Sequence, residues 1–396
     1  MANMVNPKEI KILHLARWYP NKFDPMFGLF VKKHVEATSL YCPNYVIYAH
    51  GSFDLKDSLL IDYKSNTNLT EIIVYYKKVK FAIDFIANLI NGILYLRAIN
   101  KGFKRLKCED KKFNLIHIHI LSRLGIFGLY YKLFKKTPYV ITEHWSRYLP
   151  TTANYNGFFR KIFTKIVVSQ ASFVSTVTNN LKEEMQNHGL INRNYFVLPN
   201  VVSKYFYYNF NDIKNSKKTF IHVSSFEDKS KNISGLIRVI NELSKKRSDF
   251  VCKLIGEGID FEYLSNYAQK IIKNQNVIQF IGLLENENLA REYAKADMMI
   301  IFSNYENFPV VINESLVAGL PVISTKVGGI SEMINSQNGI LINAGDEDAL
   351  IEKLLEFLDD KFCFNKELIK SQYRDKFSEG SIGKLLFNKY NEIIKT

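Results

Sequence analysis

Short apolar runs recur along the chain, separated by longer stretches in which apolar residues fall at helical spacing. Residues 10–15, 45–49, 72–76, 115–120 and 139–142 form a first series, and 219–223, 250–255, 277–280, 298–302, 322–324 and 339–342 a second. Runs of this length alternating with amphipathic segments predict strands joined by crossover helices, hence a parallel sheet in each series. The chain therefore reads as α/β, with Rossmann-like domains at 1–202 and 219–377. Residues 203–218, rich in Asn, Lys and Tyr and lacking a clear period, read as a linker. Ile382, Leu385, Leu386, Tyr390, Ile393 and Ile394 recur at helical spacing and predict a terminal helix over 378–396 that packs back on the first domain. Ligands of open α/β sheets bind beyond the carboxyl ends of the strands, so two facing sheets are expected to hold substrate in the cleft between them.

The length of 396 residues suits two domains of ordinary size, and 47% hydrophobic with 23% charged residues excludes disordered and fibrous classes. Cys42, Cys108, Cys252 and Cys363 lie far apart, form no C-x-x-C pair and read as reduced cytosolic thiols. The run 10–15 is too short for the core of a secretion signal, which makes the sequons at Asn68 and Asn232 chance matches. The closest candidate for a membrane span, 81–99, is interrupted by Asp84, Asn88, Asn91 and Arg97. A cytoplasmic protein is expected. The net charge of +14 favours an anionic partner, but no C2H2 finger, basic zipper or RNP motif is present, so nucleic acid is not expected. His117 and His119 share one face of the run 115–120, a spacing able to bind metal if a third ligand converges. With no third ligand in view, they read as hydrogen-bonded histidines near a strand end.

One string carries most of the chemistry: Phe302-Ser303-Asn304-Tyr305-Glu306-Asn307-Phe308-Pro309-Val310-Val311-Ile312-Asn313-Glu314-Ser315-Leu316-Val317-Ala318-Gly319-Leu320-Pro321-Val322. It reads strand, loop, helix, turn, strand. Pro309 suits the first helical turn and Gly319 the position past the helix end, predicting a helix over 309–318. Unpaired N–H groups and the positive dipole at its amino end suit a phosphate. Glu306 lies just before that end and Glu314 leans back toward it. Carboxylates repel phosphate but accept hydrogen bonds from hydroxyls, so the pair fits a sugar nucleotide.

The string resembles the E-x7-E signature of retaining GT-B glycosyltransferases, family 4 (group 1). Other segments extend the resemblance over most of the chain. Trp18-Tyr19-Pro20-Asn21 with Pro25 to Val31 looks like the family's first glycine loop, in which Gly28 lets backbone approach the donor or acceptor. Thr142-Glu143-His144-Trp145 resembles the segment whose histidine faces the donor sugar. Val197 to Val202 resembles the interdomain P-N-G/V-V-D element, with Ser203 where Asp is usual. His222 to Phe226, with Lys231-Asn232, is similar to the segment that supplies a basic pair to the diphosphate; Lys231 matches the family lysine, Ser225 stands where arginine is usual, and Lys229 is a spare. Gly256 and Gly258 resemble the family's G-x-G turn, Ile281 the backbone site for the nucleobase, and Gly328-Gly329 the loop on the sugar side. Asn307, Phe308, Pro309 and Val310 complete the implied donor site.

The resemblance implies transfer of a glycosyl group from a nucleoside diphosphate sugar to an acceptor hydroxyl, with retention and without metal or other cofactor. Lys231 and the helix end would stabilise the leaving diphosphate, Glu306 would hold sugar hydroxyls, and Glu314 the ribose. Asp346-Glu347-Asp348 matches a metal-binding D-x-D only superficially, because Asp346 precedes an apolar-periodic helix and suits its cap. Lys77, Lys78 and Lys80 precede the apolar stripe Phe81, Phe85, Ile86, Leu89, Ile90 and Ile93, and Arg97, Lys101, Lys104, Arg105 and Lys107 follow. The stretch 77–107 fits an element peripheral on the inner face of an anionic membrane, with a lipid-linked or growing surface glycan as acceptor, equally well as a buried helix. The alternatives are a sugar-nucleotide epimerase of the same fold and a non-catalytic binder of sugar nucleotides or nucleic acid.

Overall fold

The computed structural model describes residues 10–150, 152, 154–210, 216–306 and 309–395. The chain divides into two compact units, residues 1–201 with 379–396, and residues 202–378. In the first, β1 (Ile12–Ala16), α1 (Leu29–Ser39), β2 (Asn44–Ser52), β3 (Leu59–Ser65), β4 (Leu69–Lys77) and α2 (Asp84–Cys108) lead into β5 (Leu115–His119), α3 (Gly125–Lys135), β6 (Tyr139–Glu143), α4 (Phe158–Gln170), β7 (Val174–Thr176), α5 (Asn179–Asn187) and β8 (Tyr195–Val197). The eight strands lie in the order β3-β4-β2-β1-β5-β6-β7-β8, all parallel except β3, which pairs antiparallel with β4. β1, β5 and β6 are buried at every position, as strands covered on both faces must be.

In the second unit, β9 (Lys218–Val223), α6 (Asp228–Lys231), α7 (Ile233–Ser244), β10 (Phe250–Ile255), α8 (Phe261–Ile271), β11 (Ile278–Gly282), α9 (Asn286–Lys295) and β12 (Met298–Ile301) are followed by α10 (Val310–Ala318), β13 (Val322–Thr325), β14 (Gly339–Ile342), α11 (Glu347–Leu358) and α12 (Lys366–Tyr373). The six strands are parallel in the order β11-β10-β9-β12-β13-β14. One apolar core contains Leu236, Ile240, Leu264 and Leu354, from α7, α8 and α11. The other contains Tyr293, Leu316 and Ile369, from α9, α10 and α12.

The terminal helix, α13 (Glu379–Lys395), belongs to the first unit, where it packs on α1. Gly383 permits this: a Cβ there would stand 2.1 Å from the Ala37 carbonyl oxygen. The Tyr41 hydroxyl donates to Gly380 O at 2.8 Å, and the Tyr390 hydroxyl lies 2.6 Å from His117 Nδ1. The division falls at 201/202, and the described part of 203–218 is not a free linker. Lys204–Tyr207 form a 3-10 turn, and Val202 and Phe206 are apolar enough to bury in the second unit's core. β3, β7 and β8 are strands beyond those expected.

Candidate active site

The residues singled out in the second unit gather at the carboxyl ends of its parallel strands. Pro309 is extended (φ −70°, ψ 123°) and caps α10, so the helix begins one residue later than expected. Pro309 fits there because its ring removes an N–H that has no helical partner. At the other end Gly319 is left-handed (φ 76°), and Leu320 N donates to Ser315 O at 2.8 Å, closing the last turn. The helix is buried from Ile312 to Val317, Asn313, Glu314 and Ser315 included. Glu314 accepts from the Tyr293 hydroxyl of α9 at 3.1 Å, and burial beside that carboxylate pushes the phenol well up.

Glu306, in the loop after β12, meets Lys231 at the end of α6. Lys231 Nζ lies 2.5 Å from Glu306 Oε1, and the Ser303 hydroxyl donates to the same oxygen at 3.0 Å. The two loops are tied by their backbones: Asn304 N donates to Ser230 O at 2.9 Å, and Asn304 Nδ2 to Lys229 O at 3.1 Å. Among the described residues both contacts of Glu306 fall on Oε1, which leaves Oε2 able to accept from a hydroxyl. Lys229 itself is exposed. Asn307 and Phe308 lie outside the described residues.

The glycine turn is built by close approach. Gly256 has φ +137° and a Cβ there would stand 1.9 Å from Ser224 O; one at Gly258 would stand 2.5 Å from Phe226 N. Phe226 N donates to Glu257 O at 2.9 Å and Gly256 N to Gly282 O at 2.9 Å, which joins the loops after β9 and β10 to each other and to the end of β11. Ser225 is exposed at this junction and Ile281 is 37% exposed. Beneath it, His222 donates from Nδ1 to Ile300 O at 2.9 Å and meets the Ser224 hydroxyl at 2.8 Å, and burial pushes its pKa down to about 4. Asp346 accepts from Ala349 N at 3.0 Å and Glu347 pairs with Arg238, so this acidic triplet caps and ties α11.

In the first unit, Gly28 is left-handed (φ 68°) at the start of α1, and a Cβ there would stand 2.4 Å from the Trp18 carbonyl carbon. His144 follows β6 and is 7% exposed, with Phe30 at 4.6 Å and His34 at 5.4 Å between ring centroids. The resemblance has this histidine facing a sugar; the structure places most of its ring inside the unit. Its loop is organised by Glu143, whose carboxylate accepts from the backbone N–H of Leu121, His144 and Trp145, each at 2.9 Å. Ser303, Tyr293, Glu143 and His222 support the site but were not expected to. Ser303 lies within the quoted string, whereas Tyr293 joins Glu314 only through packing of α9 on α10.

Two Rossmann-like units, with carboxylates, a lysine and glycine turns at the strand ends of the second, define the class of two-domain α/β protein to which the chain belongs. The family model for glycosyl transferases group 1 matches residues 206–379, and that for glycosyltransferase family 4 matches residues 68–204. The chain belongs to the family 4 glycosyltransferases of the GT-B fold. An uncharacterized glycosyltransferase of Methanocaldococcus jannaschii is 28% identical over 72% of this chain and 77% of its own. The sucrose-phosphate synthase of Thermosynechococcus elongatus superposes with a TM-score of 0.72 at 15% identity, over 98% of this chain and 99% of that one. HepE of Anabaena, crystallised with UDP, superposes with a TM-score of 0.68 at 14% identity, over 97% and 100%.

Proposed function

We propose that this glycosyltransferase moves a sugar from a nucleoside diphosphate donor to an acceptor hydroxyl with retention of anomeric configuration. The observation that carries the reading is the Lys231–Glu306–Ser303 cluster beside the start of α10, with Glu314 eight residues on and held by Tyr293. A diphosphate arriving at this helix start finds N–H groups and dipole on one side and the Lys231 ammonium on the other. As the anomeric C–O bond breaks, charge builds on the departing phosphate oxygen, and both groups stabilise it. Released in part from Lys231, Glu306 accepts from sugar hydroxyls and fixes the ring for attack from the face the diphosphate leaves. Glu314 holds the ribose, and Ser225, Gly256 and Ile281 line the nucleotide; by the family resemblance Gly28 and His144 are assigned to the donor sugar. Diphosphate stabilisation rests on Lys231 and the helix, so the reaction is assigned no metal; the engagement of Asp346 and Glu347 in α11 supports this.

The acceptor is assigned as a lipid-linked or growing surface glycan at an anionic membrane. The start of α2 leaves Phe85 76% and Leu89 56% exposed, with Ile86, Ile93 and the preceding Phe81 also exposed; the buried residues of the helix begin at Gly92. The test is thermal stabilisation by UDP, GDP, ADP and dTDP with EDTA present, in the wild type and in Glu314→Ala. Binding to the folded state raises its stability by mass action, so one nucleotide should give a selective shift that the variant loses. The UDP complex of HepE makes UDP the first to try. No shift with any nucleotide would overturn the donor site.

A further inference from the structure

Five of the eight histidines, His14 of β1, His34 of α1, His117 and His119 of β5 and His144 just after β6, gather in the first unit. Ring centroids lie 4.0 Å apart for His117 and His119 and 5.4 Å for His34 and His144. Four of the five have no exposed surface, and His144 has 7%.

Hydrogen-bond partners fix where the protons sit. Asn44 donates from Nδ2 to Cys42 O at 2.7 Å, so its Oδ1 is an acceptor, and His14 Nε2 donates to it at 2.6 Å. Neutral His14 then presents a lone pair at Nδ1, which accepts the N–H of His119 Nε2 at 3.0 Å. That leaves a lone pair on His119 Nδ1. His34 Nε2 donates to Pro199 O at 2.9 Å, which leaves a second lone pair on His34 Nδ1. Among the described residues neither of these buried Nδ1 atoms has a hydrogen-bond partner. Burial keeps the rings neutral, His34 being pushed down to about 4. His117 differs: its two nitrogens meet the Tyr390 and Thr142 hydroxyls at 2.6 and 2.7 Å.

We propose that His34, His119 and His144 form a binding site for a transition-metal dication such as zinc. One nitrogen from each lies within 4.8 Å of the others. Tetrahedral zinc with bonds of about 2.0–2.1 Å sets its nitrogens roughly 3.4 Å apart, so side-chain rotation closes the site around the ion. The outer partners are those that metal-bound imidazoles use: a backbone carbonyl behind His34, and the His14–Asn44 relay behind His119. Three imidazoles select zinc, cobalt, nickel or copper over magnesium or calcium, so this is not a cation for the donor diphosphate. His144, the one ligand with exposed surface, gives the entry. A metal held there competes with the role of His144 in transfer; that consequence rests on the proposed function, whereas binding does not.

Titration of the full chain with zinc, followed calorimetrically, and with Co2+, followed by the visible bands of tetrahedral cobalt, tests the site. The wild type should bind one ion per chain with tetrahedral cobalt bands. His34→Gln should weaken binding more than about 100-fold, a larger loss than the 10–100-fold typical of outer partners. His119→Gln should act alike, with circular dichroism confirming that each variant folds. His117→Gln, at a ring already bonded through both nitrogens, should bind zinc as the wild type does. Absence of binding, or affinity unchanged in His34→Gln, overturns the proposal. Loss in His117→Gln with retention in His34→Gln also overturns it, by moving the ion to His14, His117 and His119.

Discussion

Lys231 and Glu306 are 18% and 9% exposed, so each neutralises a charge that the fold otherwise keeps from water. Substituting only Lys231 leaves that carboxylate without its cation, whereas removing both charges leaves nothing uncompensated. Lys231→Ala should therefore destabilise the protein by about 2 kcal/mol, and adding Glu306→Gln should restore most of the loss. Activity should behave differently. Lys231→Ala should lower kcat by about 100- to 1000-fold, the scale of a lost transition-state electrostatic contact, and the double variant should be no faster. Urea melts and initial rates on the three proteins separate the two effects. If Lys231→Ala loses stability but turns over at the wild-type rate, Lys231 supports the fold and does not stabilise the leaving group. Ser303 shares Oε1 of Glu306 with Lys231, so it helps hold the carboxylate in place once a phosphate draws the lysine away.

Among the elements, those built from a single apolar run were legible and those that depend on neighbours were not. β10 and β14 match the apolar runs that predict them. β7 and β8 have three residues each, too few to show a period, and β3 turns polar after Ile61 because it is an edge strand. Glu306 and Glu314 were legible because one loop and one helix carry both. The histidine cluster was half seen: His117 and His119 are neighbours on β5, but His34 arrives from α1 and His144 from the loop after β6, by topology alone. The loops after β9 and β10 show what such long-range approach demands. Gly256 lies in a backbone region closed to other residues, and its missing Cβ makes room for the Ser224 carbonyl. Gly256→Ala should cost about 3 kcal/mol by strain and overlap together. It should also displace Ser225, weakening nucleotide binding beyond what the stability loss explains. A variant that melts and binds nucleotide as the wild type does would show that the two loops yield freely, contrary to the packing.

The first unit carries an apolar surface wider than its sequence suggested. The connections from β4 to β5, β5 to β6 and β6 to β7 all step the same way along the sheet, so right-handed crossovers place α2, α3 and α4 on one face. Phe103 of α2 stacks on Tyr131 of α3 at 5.2 Å, and α3 packs on α4. Leu133 and Phe134 of α3 are 66% and 71% exposed, and Phe158 and Phe159 of α4 are 72% and 85% exposed, beside Lys132, Lys135, Arg160 and Lys161. No helix among the described residues is long and apolar enough to cross a membrane. Exposed aromatic and aliphatic side chains beside lysines and arginines are the composition an interfacial surface uses, and the proposed membrane site of the acceptor is tested there. Apolar insertion and charge attraction respond differently to salt, since screening shortens the reach of the lysines and leaves the aromatic rings unaffected. Vesicle sedimentation should show binding to anionic membranes that exceeds binding to neutral ones. Replacing Lys77, Lys78 and Lys80 by Gln should weaken it at low salt, by about 1 kcal/mol for each lysine at the surface, with little further effect at high salt. Phe85→Ser with Phe159→Ser should weaken it at both. Wild-type binding that ignores lipid charge, or a double variant that binds like the wild type, would remove the membrane from the acceptor assignment while leaving the donor site untouched.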